Sequence, residues 1–574
     1  MDREHYTHLL AVARGDRPAD LVLDHCLIAN VFTGELLHAQ IAIAGAWIAA
    51  VGSGFSSQHV VDLQGQVVTP GLIDTHVHVE SSMCGPAEFA RAVVPHGVTT
   101  VISDPHEIAN VAGVEGIRYM LDASENLPLT IYLNLPSCVP ATSMGTAGAT
   151  LAAEDLLALR DHPRVIGLAE FMNVPGAVLG LPDAIEKLLA FQDSHIDGHA
   201  PGTTGKQLQA YIAAGPATDH ESTTAEEALE KVRWGMRVLL REATSAKNLR
   251  PLLAAVSPAS ERRFAFSSDD RHPADLLDEG SIDHHVRLAI DAGLDPLTAI
   301  RMATLNGAEA FGLRDRGAIS PGRRADLVVT PTLSDFRAAQ VYYGGQLVAR
   351  DGQLLSRTEL APTADSSVWH SIHVDVGALS FDVAAEGNRM RVIGVIPDQI
   401  VTELRVMEPK VVRGQAVSDP SRDLIKLAVI ERHRGTGNVG IGFAQGLGIR
   451  SGAIAGTVAH DCHNIIVAGV TDEDMQTAVR TLKDLGGGLV AVRDGVCMAA
   501  VPLPIGGLMS NHPIEDVRRQ MDDLVAASHA LGSPLHDPFM QLGFLALEVI
   551  PALKLTDLGL VDVAAFDFVP LWAD

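Results

Sequence analysis

From Val68 to Thr304 the chain repeats one texture: a short apolar run, a polar break, then a stretch with apolar residues at helical spacing. The apolar runs predict strands at Leu72–His78, Thr99–Ser103, Leu129–Leu135, Val165–Glu170, His195–His199, Ala217–His220, Arg237–Leu240 and Arg263–Ser267. Helical spacing covers Pro86–Val94, Ala109–Leu121, Ala184–Phe191, Gly205–Ala214 and Thr224–Trp234. Eight strand–helix units in roughly 230 residues is the size of a (β/α)8 barrel. The expected fold class is therefore α/β, with a TIM-like barrel over 68–319.

The flanks have a different rhythm. Leu21–Leu23, Ile41–Ile43 and Trp47–Val51 are β-type runs separated by turn residues, and Ala325–Val329 and Ala339–Val348 return to that pattern. Residues 1–67 and 320–361 are expected to join in a small β-sandwich. Pro362–Val368 is polar and reads as a linker. Beyond it, 370–574 mixes strands such as Val392–Ile396, Leu424–Val429 and Ile465–Gly469 with helices. That part is expected to form a C-terminal α+β domain packed near the active site.

Six polar residues interrupt the barrel pattern at informative places. His76 and His78 close the first strand, where residues i and i+2 point to the same side. Glu170, His199 and His220 end the fourth, fifth and sixth strands, and Asp269 follows the eighth. Reactive residues of such barrels sit at these C-terminal strand ends. Singly, each has a plain structural reading, since a lone buried histidine is more often hydrogen-bonded than metal-bound. In the order His-x-His, acid, His, His, Asp they read as one divalent-metal site that accepts manganese, iron or zinc. Such a site can generate hydroxide for hydrolysis. Asp270 competes with Asp269 for the last ligand position. Strand pleating should point Glu221 away from the face of His220.

Composition narrows the partners. At 574 residues the chain exceeds a single core, and no apolar stretch approaches the roughly 18 residues of a membrane span. Met1 to Pro18 is charged throughout and lacks the apolar segment of a signal peptide. Cys26, Cys84, Cys138, Cys462 and Cys497 are far apart and form no Cys-x-x-Cys pair, which points to reduced thiols and a cytoplasmic location. A formal charge of −27 repels nucleic acid and anionic membrane, so a small neutral or weakly charged substrate is expected. A homodimer or larger homo-oligomer is expected, as is common for large barrel enzymes.

Several segments together carry a family resemblance. Pro70-Gly71-Leu72-Ile73-Asp74-Thr75-His76-Val77-His78 resembles the amidohydrolase signature. Asp104-Pro105-His106-Glu107, Asp197-Gly198-His199, Ser267-Ser268-Asp269-Asp270-Arg271-His272-Pro273 and His460-Asp461-Cys462-His463-Asn464 are similar to the bacterial adenine deaminases in particular. The resemblance spans nearly the whole chain. It implies hydrolysis of free adenine to hypoxanthine and ammonia, with hydroxide raised on a binuclear manganese or iron site attacking C6. It also implies that Glu170 stands where many relatives carry a carbamylated lysine. Cys462 and Glu548 depart from the family pattern, where a small hydroxyl residue and a proline are expected.

Proton traffic in that reaction falls to Asp269, His106 and Asp104 as candidates, with Glu170 between the metals. Asp104-Pro105-His106 also reads simply as a turn after the second strand. Glu80, Ser81, His463 and Asn464 are candidate substrate residues, the last two being either a local cluster or a cap over the pocket. The alternative function is an amidohydrolase acting on another aminopurine, an aminopyrimidine or a cyclic amide. A further rival is a barrel that binds a purine without catalysis.

Overall fold

The structure, a computed structural model, describes residues 2–355, 367–397 and 399–573. Most of the expected linker Pro362–Val368 lies outside them. Eight parallel strands form the central unit: β1 (Leu72–Val77), β2 (Val98–Ser103), β3 (Thr130–Leu135), β4 (Val165–Phe171), β5 (His195–Gly198), β6 (Thr218–Asp219), β7 (Arg237–Arg241) and β8 (Phe264–Ser267). Strands β1 to β5 make a curled sheet of five, and β6 to β8 a sheet of three. Backbone bonds cross both seams: Ala217 N donates to Ile196 O at 2.9 Å, and Asp269 N donates to His76 O at 3.0 Å. The result is a TIM-like barrel.

Every residue of β1, β2 and β8 is buried. Buried polar groups need partners, and β1 carries Asp74, Thr75 and His76. Thr75 Oγ1 donates to Phe266 O at 2.7 Å, and Asp74 Oδ1 accepts from Ser268 N at 3.0 Å. The polar residues of β1 thus pin it to β8 and to the loop that follows.

Two elements differ from the sequence pattern. Strand β6 stops at Asp219 instead of running to His220. The Asp219 carboxylate takes up Ala200 N (2.9 Å), Ser222 N (3.1 Å) and Lys231 Nζ (2.8 Å), and so turns the chain there. The helix after β2, α1 (His106–Ala123), starts three residues earlier than the apolar spacing suggests. His106 therefore sits in a first helical turn, not in a loop. Gly113 breaks α1 at φ 59°, and a Cβ there would come within 2.9 Å of the Ala149 methyl.

Strands from both flanks share one nine-stranded sheet. Its joint is the antiparallel pairing of Val67–Pro70, just before the barrel, with Leu327–Thr330, just after it. The last unit has an eight-stranded sheet that includes Met390–Val395, Leu424–Ile430 and Ile465–Gly469, with helices Asp472–Leu485 and Ile514–Ala530. One apolar core runs through barrel and last unit, from Phe171 and Phe266 to Leu503 and Phe539. Ser510 N donates to Met83 O at 2.7 Å, and Ile514 N donates to Glu88 Oε2 at 3.0 Å, fastening the two together. Among the described residues no helix is long and apolar enough to cross a membrane.

Candidate metal centre

The C-terminal ends of β1, β4, β5, β6 and β8 bring His76, His78, Glu170, His199, His220 and Asp269 to one place. His76 Nε2 and His78 Nε2 lie 3.2 Å apart. His78 Nε2 is 3.4 Å from Glu170 Oε1 and 3.2 Å from Asp269 Oδ1. The other Glu170 oxygen, Oε2, is 2.5 Å from His199 Nδ1 and 3.1 Å from His220 Nε2. Asp269 has φ 56°, in the left-handed region, and that bend turns its carboxylate back over β1. Its neighbour Asp270 also borders the site and accepts a hydrogen bond from Ser81 Oγ.

The donor set fits divalent metal on its own chemistry. His76 Nδ1 is 2.8 Å from Asp197 Oδ2, and His78 Nδ1 is 3.0 Å from the Asp104 carbonyl. Each partner is an acceptor, so each Nδ1 donates, and each Nε2 is free to present a lone pair once a cation replaces its proton. Two lone pairs turned towards one point, beside two carboxylates, suit a shared cation, and outer acceptors of this kind are the usual support of metal-binding imidazoles. The field agrees. Burial opposes charge on His78, yet the Asp269 hydrogen bond, Asp270 and Glu170 outweigh both burial and His106 and raise it well above the usual range. Burial likewise opposes charge on His220, which Glu170, Asp269 and Glu221 nevertheless push up to about 10. Burial would raise Glu170, but His199 and His220 hold it well below the usual carboxylate range. The centre attracts positive charge strongly. These residues could hold a divalent metal.

A cavity of about 110 Å³ opens over the centre. On the barrel side it is lined by donor residues together with His106, Glu107, Glu221 and Arg241; across from them stand Ile400, His460, Asp461, Phe544, Leu547, Val549 and Ile550 of the last unit. His106 Nδ1 is 3.1 Å from Asp104 Oδ2 and 3.4 Å from Glu170 Oε1. Burial opposes its charge, but Asp104 and Glu107 raise it well above the ordinary histidine range.

The other candidates are distributed differently. Glu80, Ser81 and His463 border a smaller adjoining cavity of about 30 Å³, and not the cavity above the donors. Glu80 Oε1 accepts from Ile108 N at 3.2 Å. Asn464 borders neither cavity: its amide donates to Thr146 O at 2.8 Å and its Oδ1 accepts from Arg432 N at 3.2 Å. Asn464 is thus a clamp between segments, its amide also donating to Asp557 Oδ1 at 3.3 Å. Glu221 does not point away. Its Oε1 lies 3.6 Å from His220 Nε2, since β6 ends before this pair and pleating no longer governs it.

Sequence reasoning gave no role to Arg241, Asp197, His460 or Asp461. Arg241 Nη1 donates to Asp269 Oδ2 at 2.8 Å and also bonds Glu221. It ends β7, the same signal that marked the donors. Asp197 lies within β5, two residues before His199.

Two families match the chain: the amidohydrolase family over residues 67–348, and the adenine deaminase C-terminal domain over 399–567. The chain is 52% identical to an adenine deaminase of Desulfatibacillum aliphaticivorans, over 98% of this chain and 99% of that one. It is 50% identical to adenine deaminase 2 of Carboxydothermus hydrogenoformans, again over 98% and 99%. Among solved structures, a triazine hydrolase variant is similar at TM-score 0.45 and 19% identity, over 58% of this chain and 96% of that one.

Proposed function

This chain belongs to the adenine deaminase family, and we propose that it hydrolyses free adenine to hypoxanthine and ammonia in the cavity over the six donors. The observation that carries the reading is the division of Glu170. One of its oxygens faces His78 and the other faces His199 and His220, as a carboxylate between two cations would. His76, His78 and Asp269 would complete one site, and His199 and His220 the other. Imidazole and carboxylate donors without thiolate suit manganese or iron, and also accept zinc. Bound there, divalent cations lower the pKa of water from about 15.7 towards neutrality.

The protein's own groups handle the protons. Addition of water at C6 requires a proton at N1 and another for the departing amine. His106, kept protonated by Asp104 and Glu107, carries a proton to the ring, and Asp104 orients it. Asp269, its Oδ2 fixed by Arg241, turns Oδ1 inward, takes the proton of the attacking water and passes it to the departing amine, while the proton left on the new oxygen returns to His106. Water and adenine thereby give hypoxanthine and ammonia. The apolar wall formed by Ile400, Phe544, Leu547, Val549 and Ile550 suits the faces of a flat ring.

In the same reading, 1–67 with 320–361 is a small β-sandwich, 68–319 the hydrolase barrel and 370–574 an α+β domain that closes the site. The enzyme would work in the cytoplasm as a homo-oligomer, without nucleic acid or membrane partners. The test is product analysis with adenine, guanine, cytosine and hydantoin, alongside metal content. Ammonia and hypoxanthine are expected from adenine. Ammonia from guanine or cytosine, or the ring-opened acid from hydantoin, with adenine inert, would overturn the reading.

A further inference from the structure

The wall over the cavity is apolar except at His460 and Asp461, and neither has a part in the chemistry above. The His460 ring is held rigidly. Its Nδ1 is 3.0 Å from Glu107 Oε1, and its face lies 4.8 Å from the Phe544 ring at an interplanar angle of 17°. Glu107 uses its other oxygen on His463 Nε2. His463 Nδ1 accepts from Ala459 N at 3.3 Å, so both nitrogens of that ring are spent. With Nδ1 of His460 committed to Glu107, Nε2 is the ring nitrogen left to meet a ligand.

Asp461 is the reverse case. It is 6% exposed, lines the cavity, and its Oδ2 has no hydrogen-bond partner among the described residues. A buried carboxylate oxygen without a donor is costly, and such groups call for a ligand that supplies one. Burial raises its carboxyl above the usual range, although His106 opposes this, and a ligand N–H would relieve that cost.

We propose that Asp461 Oδ2 accepts the five-membered-ring N–H of free adenine, with His460 beside it, so that the last unit selects the free base over N9-substituted purines. The inference rests on the adenine reading above. If C6 is at the metal donors, the N9 edge of the ring is turned towards the opposite wall. A substituent at N9 removes the donor that Asp461 lacks. It also needs room among Leu547, Val549 and Ile550.

The experiment uses the full, metal-loaded chain with D461N and D461A. Kinetics are measured on adenine and 9-methyladenine, and binding of hypoxanthine by calorimetry. The parent enzyme is expected to deaminate adenine and to discriminate against 9-methyladenine. Both variants should raise KM for adenine and weaken hypoxanthine binding, D461A by about tenfold to a hundredfold and D461N by less. Metal content should stay unchanged, and the gap between adenine and 9-methyladenine should narrow by the same factor. D461N preserves shape, so it decides the matter should D461A fail to fold. Unchanged KM and product affinity in a folded variant, metal loss accompanying the change, or equal use of 9-methyladenine by the parent would overturn the proposal. An inactive parent on adenine would instead overturn the functional reading itself.

Discussion

The two sides of the cavity are built on opposite principles. On the barrel side, polar groups crowd together, and most have at least one charged or hydrogen-bonding partner within about 3 Å, as in Asp197–His76 and Arg241–Asp269. On the other side, Ile400, Phe544, Leu547, Val549 and Ile550 present hydrocarbon, with His460 and Asp461 as the exceptions. Charges held that closely need a rigid frame, and the ends of parallel strands supply one. A surface that only has to exclude water and fit a ring can be assembled from loops. The contrast assigns reactivity to the barrel and fit to the last unit, so damage to the two sides should read out differently.

The sharpest break is Glu170→Gln. An amide cannot serve two imidazole groups as a carboxylate does, and turnover should fall by about a thousandfold. Metal analysis should show the loss of about half the bound cation, because one donor group loses its anionic ligand. Near-normal turnover with full metal would remove Glu170 from its bridging place. His106→Asn comes next. Turnover should fall by about a hundredfold while bound metal stays constant, as for a group that moves protons. If metal leaves instead, His106 is a ligand, and its 3.4 Å approach to Glu170 has that meaning. The smallest effect belongs to the wall. Phe544→Leu removes the ring stacked on His460 and should raise KM by about threefold to tenfold, with kcat and metal unchanged. A fall in kcat at constant KM would place Phe544 with the reactive side.

The same contrast explains what could be read in advance. The strand ends carry their message in linear order, because each barrel strand delivers its last residues to one rim; hence His76, His78, Glu170, His199, His220 and Asp269 were legible as a group. Arg241 carried the same signal at the end of β7, but an arginine after an apolar run has too many ordinary uses to single it out. Glu221 faces His220 against the expected alternation because β6 ends before it, where Asp219 turns the chain. For Asn464 the sequence leaves a local cluster and a cap over the pocket open, and only partners far away in sequence distinguish them.

The amino-acid sequence by itself determined the eight strand–helix units, the order of metal-competent residues along them and the kinship of the chain. Those features are local or periodic, and periodicity survives in one dimension. Which carboxylate faces His78, which nitrogen of each imidazole is free, and which segments roof the cavity were decided only by tertiary structure. The φ of Asp269, the Asp197–His76 pairing across 121 residues and the approach of His460 to Glu107 across 353 residues are consequences of packing. No local pattern encodes such contacts, because chain segments meet there through the closure of a common core.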